Sequence, residues 1–216
     1  MNKSNLFFAA TSFALGILAL IFQFNFAIDY WMASGLSLWA AVGQYFSYYT
    51  IIINTFACIC LTLIFANKKS RVRKFLISKS ILSVVVVNLL FVAIGYNLLL
   101  RNLWHPVGIE FYINEILHSI MPVMFIIFYY LFVPAGKLKR SNIFSWLLLP
   151  LTYLIVILIR GELTGFYPYP FLEPYHSGYR SVFFYVITLL IGYFGISLIF
   201  ISVENNRKLN KLRKFL

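Results

Sequence analysis

A handful of side chains in this sequence carry chemistry that an apolar span does not need. Thr50 offers a hydroxyl, His118 an imidazole, Glu115 a carboxylate, and Asn54 and Asn114 carboxamides. Thr50 lies in the stretch QYFSYYTIIIN, residues 44–54, which opens an apolar run reaching Ala66. On a continuous helix of 3.6 residues per turn, Gly43, Ser47, Thr50, Asn54 and Ala57 share one face. Tyr48, Ile52 and Ile59 share the other. A small and polar stripe in a lipid-length helix faces protein or a water-filled pocket, because lipid cannot satisfy it. Asn114 and Glu115 precede His118 by one helical turn and so lie on its face. Pro122, one turn further on, can loosen that helix and free carbonyls toward the same face. An ionisable group within a span marks a candidate functional site by default.

If these residues act chemically, they act as side chains alone. The histidines are scattered, and neither H-E-x-x-H nor H-x-x-E-H occurs. There is no phosphate-cradling glycine loop and no G-x-S-x-G elbow. Neither a metal nor a cofactor is expected. Cys58 and Cys60 point about 200° apart on a helix, which excludes a disulfide between them.

The elements that must position this set are membrane spans. The chain has 216 residues, 62% of them hydrophobic and 11% charged, with mean hydropathy +0.86. A soluble domain could not bury that much apolar surface. The reading is an all-α polytopic membrane protein: a single domain of six transmembrane helices over about residues 6–28, 43–66, 80–100, 113–133, 143–159 and 180–203. The net charge of +12 would suggest nucleic acid in a soluble protein. Here it sits between spans and sorts by side. Lys3, six residues of 67–79, three of 134–142 and five of the tail lie on one side, against Arg101, Arg160 and Arg180 on the other. The basic side is cytoplasmic, so both termini are expected there, in a multi-pass protein of the cell (inner) membrane. No nucleic-acid groove is expected.

On this topology Thr50 and His118 each lie some five to seven residues inside the outer end of their span. At 1.5 Å per residue that is roughly 8–10 Å beneath the outer interface. The loop RGELTGFYPYPFLEPYHSGY, residues 160–179, is too rich in proline for a regular helix and too apolar to float in water. It is expected either to fold back over the bundle mouth as a lid or to form an interfacial aromatic belt. Plainer readings stand beside each of these. A membrane threonine commonly bonds its own i−4 carbonyl. Asn54, Asn88 and Asn97 can serve as interhelical hydrogen-bond glue, and Glu162 and Glu173 can pair with Arg160 and Arg180.

Three stretches together carry a resemblance: Y-F-S-Y-Y-T-x-x-x-N at 45–54, N-x-x-x-H at 114–118, and R-G-E-L-T-G-F-Y-P-Y-P-F-L-E at 160–173. With six spans, they resemble a bacterial six-span family related to the eukaryotic androgen-induced and androgen-dependent membrane proteins. Those are threonine hydrolases of fatty acid esters of hydroxy fatty acids. The resemblance implies Thr50 as nucleophile and His118 as the second essential residue. Arg160, Gly165, Tyr169, Pro170 and Glu173 map to the family's last outer loop. It also implies a membrane lipid ester, entering from the outer leaflet, as substrate. A hydroxyl needs a base to become nucleophilic, and a neutral histidine can serve. Glu115 or Asn114 could then hold the ring, and Asn54, a tyrosine hydroxyl or backbone freed by the 160–179 loop could serve the oxyanion. The alternative is a non-catalytic binder or transporter of lipid or another small molecule, using the same pocket.

Overall fold

The computed structural model describes residues 3–65 and 70–213, with side chains over 6–64 and 70–207. Lys68, Lys69 and most of the basic tail, on which the charge-sorting argument partly rests, lie outside the described side chains. Among the described residues the regular structure is all helical, without strands. It divides into two compact units, Met1–Pro134 and Ala135–Leu216.

The first unit begins with α1, Lys3–Ala33. The short α2, Leu38–Tyr45, precedes α3, Tyr49–Phe65. A six-residue helix α4, Arg71–Leu76, leads into α5, Lys79–Gly95, which continues as a π turn over Tyr96–Leu100. Then come α6, Ile109–Glu115, a second π turn over Ile116–Ile120, and α7, Met121–Phe132. Helix α1 packs on α2, α3, α6 and α7, and α5 packs between α3 and α7. The close approach of α1 to its neighbours depends on Gly16. A Cβ there would lie 2.6 Å from Met121 Cε and 2.8 Å from Cys58 Sγ, the usual use of a small residue between membrane helices. Ser83 and Tyr129 join α5 to α7 through their hydroxyls, 2.9 Å apart. Tyr49 on α3 bonds Asn88 on α5.

The expected second span differs from a single straight helix. Leu38–Tyr45 and Tyr49–Ile64 meet at 77°. No proline causes the break. Tyr45 and Tyr49 are both buried, and their hydroxyls reach in different directions, to the Leu20 carbonyl and to Asn88. Ser47 Oγ bonds the Gly43 carbonyl at 2.6 Å, offering the backbone an alternative to the helical ladder. Ser47 N–H accordingly turns to Gln44 O in a tighter i→i−3 pattern.

In the second unit α8, Asn142–Thr164, carries Pro150 internally. Gly165, at φ 71°, closes it in the left-handed conformation that suits glycine. Residues 165–173 contain only a 3₁₀ turn, Pro170–Leu172, as the proline content demands. The final helix, α9, Pro174–Arg213, bends at Gly178. Tyr193 donates to the Trp146 carbonyl at 3.1 Å. The α9 side chain of Asn205 pairs with both the N–H and the carbonyl of Leu138, at 2.8 and 3.1 Å.

Among the described residues, five helices are long and apolar enough to cross a membrane, and the bent pair α2–α3 makes a sixth if it counts as one span. That is consistent with a multi-pass membrane protein.

Candidate functional site

The break before α3 is what sets Thr50 in place. Thr50 becomes the second residue of a helix rather than a mid-helix position. Its i−4 residue, Phe46, lies outside α3. Thr50 Oγ1 meets His118 Nε2 at 3.2 Å, across from α3 to the π turn between α6 and α7.

The tautomer follows from the other ring nitrogen. His118 Nδ1 lies 2.9 Å from the Asn114 carbonyl oxygen. A carbonyl only accepts, so Nδ1 carries the proton and donates it. In the neutral ring Nε2 then keeps its lone pair, and the Thr50 hydroxyl donates to it. The Tyr96 ring stacks on the imidazole, centroids 4.0 Å apart and planes 23° apart. Asn114 Nδ2 donates to the Tyr96 hydroxyl. Thr50 is 7% exposed, Asn114 8% and Tyr96 5%, whereas His118 is half-buried.

Two π turns, one containing His118 and one opening with Tyr96, flank this contact. Such turns recur at functional sites because they re-aim side chains. Pro122 explains the first. A proline in an α-helix clashes with the carbonyl four residues back, here that of His118, and a wider turn relieves the clash. The Met121 N–H is engaged by Ile116 O, and Pro122 has no N–H to offer. The Leu117 carbonyl therefore lacks a main-chain donor from the next turn. Asn54 supplies one: its Nδ2 donates to Leu117 O at 3.1 Å and to Thr50 O at 2.9 Å. One fully buried carboxamide thus ties the main chain of the threonine to that of the residue before the histidine.

These bonds change two of the expectations drawn from the sequence. Both Asn54 N–H groups are engaged, so Asn54 is not an available oxyanion donor. The group that orients His118 is the main-chain carbonyl of Asn114, not its carboxamide and not Glu115. Glu115 turns to Arg101, with Oε1 2.9 Å from one guanidinium nitrogen and Oε2 2.9 Å from the other. Ser119 Oγ donates to Glu115 at 3.0 Å, and Arg101 Nε donates to Asn97 Oδ1 at 2.8 Å. No site role for Tyr96, Arg101 or Ser119 follows from the sequence alone. The available signals were the i, i+4 spacings of Asn97 with Arg101 and of Glu115 with Ser119.

The candidate loop residues form their own arrangement in the second unit. Arg160 lies over the Phe166 ring at 5.3 Å. Tyr169 stacks on Phe171 at 5.3 Å, across Pro170. Glu173 pairs with His176 at 2.9 Å, and Glu162 accepts from Tyr167 and Tyr179 at 3.2 and 3.0 Å. Burial first, then the Glu162 carboxylate, push the Tyr167 phenol up to about 12. The Tyr167 ring covers Gly161, leaving no room for a Cβ.

Among the described residues, no group of three His, Cys, Asp or Glu side chains could hold a metal ion. No family model, curated protein or solved structure matches the chain.

Proposed function

We propose that this protein is an intramembrane hydrolase of lipid esters, with Thr50 as nucleophile and His118 as general base. The observation that carries this reading is the 3.2 Å contact of Thr50 Oγ1 with His118 Nε2, whose ring is held by the Asn114 carbonyl at 2.9 Å. It is the nucleophile, base and orienting acceptor of a hydrolytic triad, with a main-chain carbonyl as third member.

In the first step Thr50 Oγ attacks the ester carbonyl and its proton passes to Nε2. The tetrahedral oxyanion collapses, and Nε2 returns the proton to the departing alkoxide. A water then gives its proton to Nε2 and attacks the acyl-threonine, releasing the acid and restoring Thr50. The oxyanion is best served by the N–H of Thr50 itself. In the first turn of α3 that group precedes any intrahelical acceptor, at the positive end of the helix dipole. The same two residues are those implied by the resemblance to a six-span family related to the threonine hydrolases. With both termini cytoplasmic, an ester would enter from the outer leaflet of the cell membrane.

One observation favours a second reading, a lipid binder without turnover. A groove of about 420 Å³ runs between α1 and α3, lined by Phe13, Ile17 and Phe24 on one side and Thr55, Ile59 and Thr62 on the other. The three α3 residues lie about 120–180° around the helix from Thr50, so the groove and the dyad are separate features. We favour the dyad because its geometry is specific, whereas any span can border an apolar groove.

The test uses the full chain in nanodiscs with a fluorophosphonate probe and p-nitrophenyl octanoate. Hydrolase action puts the label on Thr50 and lowers turnover by about 10²–10⁴-fold in Thr50→Ala and His118→Ala, the range for losing such a proton transfer. Parent-rate hydrolysis by both variants, or labelling elsewhere only, refutes it.

A further inference from the structure

Arg101 and Glu115 form the most complete polar cluster that the proposed reaction leaves unused. The pair joins the two π turns. The Arg101 N–H closes the first by bonding Tyr96 O at 2.8 Å. Glu115 immediately precedes the second, which contains His118 and Ser119. The guanidinium meets both carboxylate oxygens at 2.9 Å, donates to Ser119 Oγ at 3.3 Å and lies over the Tyr96 ring at 5.3 Å. That ring is the one stacked on His118.

The side chains of Arg101 and Glu115 are 37% and 20% exposed. An ion pair so open to its surroundings contributes little to stability. It still links the two segments: Arg101 Nη2 donates to Glu115 Oε2 at 2.9 Å, a charge-assisted bond that fixes direction as well as distance, and Nη1 lies 2.9 Å from Oε1. A π turn holds one residue more than the α turn it replaces, so relaxation to α register rotates the chain beyond it by about 100°. Such a rotation would carry His118 away from Thr50. Something must hold the wide turns, and Pro122 acts only at the far end of one of them.

We propose that Arg101 and Glu115 are positioning residues for the dyad. Their ion pair, with the Arg101–Ser119 bond beside it, holds the two π turns together and so keeps the His118 ring stacked on Tyr96, bonded to Asn114 O and aimed at Thr50. The inference rests on the hydrolase reading for its effect on turnover, but not for its effect on the ring.

The test therefore has two readouts on the full chain in nanodiscs. The first is the ¹⁵N signal of the His118 ring, assigned by comparison with His118→Ala, which reports the tautomer whether or not the protein is an enzyme. The second is hydrolysis of p-nitrophenyl octanoate. In the parent the ring is a single Nδ1–H tautomer. In Arg101→Met the signals average between tautomers, and kcat falls by about 10²-fold, the cost of roughly 1 Å of misplacement, while KM stays within about twofold because apolar binding is untouched. Glu115→Gln gives the same pattern more weakly and guards against misfolding of the first variant, since it keeps shape and one acceptor. A fixed Nδ1–H tautomer with parent kcat in both variants overturns the assignment. So does an averaged tautomer with parent kcat. A parent with a fixed ring but no Thr50-dependent turnover overturns the hydrolase reading beneath it.

Discussion

Replacing Asn54 by leucine separates what holds the bundle together from what aligns the site. Asn54 is fully buried. Its Nδ2 donates to Thr50 O and Leu117 O, while its Oδ1 is buried without a hydrogen-bond partner. Leucine has similar size and no polar atoms. The substitution leaves the Leu117 carbonyl without this donor, a loss of about 1–3 kcal/mol for an unsatisfied buried group. It also removes the partnerless Oδ1, a relief of about the same size. The two nearly cancel, so thermal stability in detergent should change by no more than about 1 kcal/mol. The alignment has no such compensation. With the bridge gone, α3 and the π turn are free to drift, and a shift of roughly 1 Å between Thr50 and His118 costs on the order of 10²-fold in kcat. Paired melting curves and p-nitrophenyl octanoate kinetics on the same preparation measure both quantities. A variant that melts several kcal/mol lower would show Asn54 to be mainly a structural bond. One that melts like the parent and turns over like the parent would refute the bracket altogether.

The remaining predictions concern other parts of the chain. Thr50→Ser keeps a hydroxyl within reach of Nε2 and should retain measurable turnover and probe labelling, whereas Thr50→Val should lose both; intact-mass analysis after fluorophosphonate treatment distinguishes them. Gly161→Ala drives a methyl into the Tyr167 ring and should destabilise the second unit by about 1–3 kcal/mol, the usual cost of overpacking, read by faster proteolysis in the 165–173 segment. Glu204 is fully buried, pairs with Arg207 at 3.2 Å and accepts from the Gly136 N–H, so Glu204→Leu, which removes the acceptor from both, should cost about 1–3 kcal/mol. Glu204→Gln, still able to accept from the Gly136 N–H, should cost less on the same melting curve.

Helix content, the apolar spans and the loop at 166–174 follow from local features that a sequence carries openly. Long hydrophobic runs bounded by charge have few stable alternatives to a helix, and a segment with a proline at 168, 170 and 174 cannot be one. Candidate residues were legible for the same reason: Thr50, Asn54, Asn114, Glu115 and His118 are polar where polarity is costly. Their contacts were not legible. The break at Phe46–Tyr48 arises because two buried tyrosines reach partners 25 and 39 residues away. Asn54 acts on Leu117 across 63 residues, and Arg101 reaches Ser119 and Glu115 on the next helix. Helical periodicity specifies direction around one axis only. Which faces meet, and whether a carboxamide or a carbonyl accepts the hydrogen bond of the histidine's Nδ1–H, depends on how separate axes cross and where a proline widens a turn. Those were decided by packing among α1, α3, α5 and α7, and so by the tertiary structure alone.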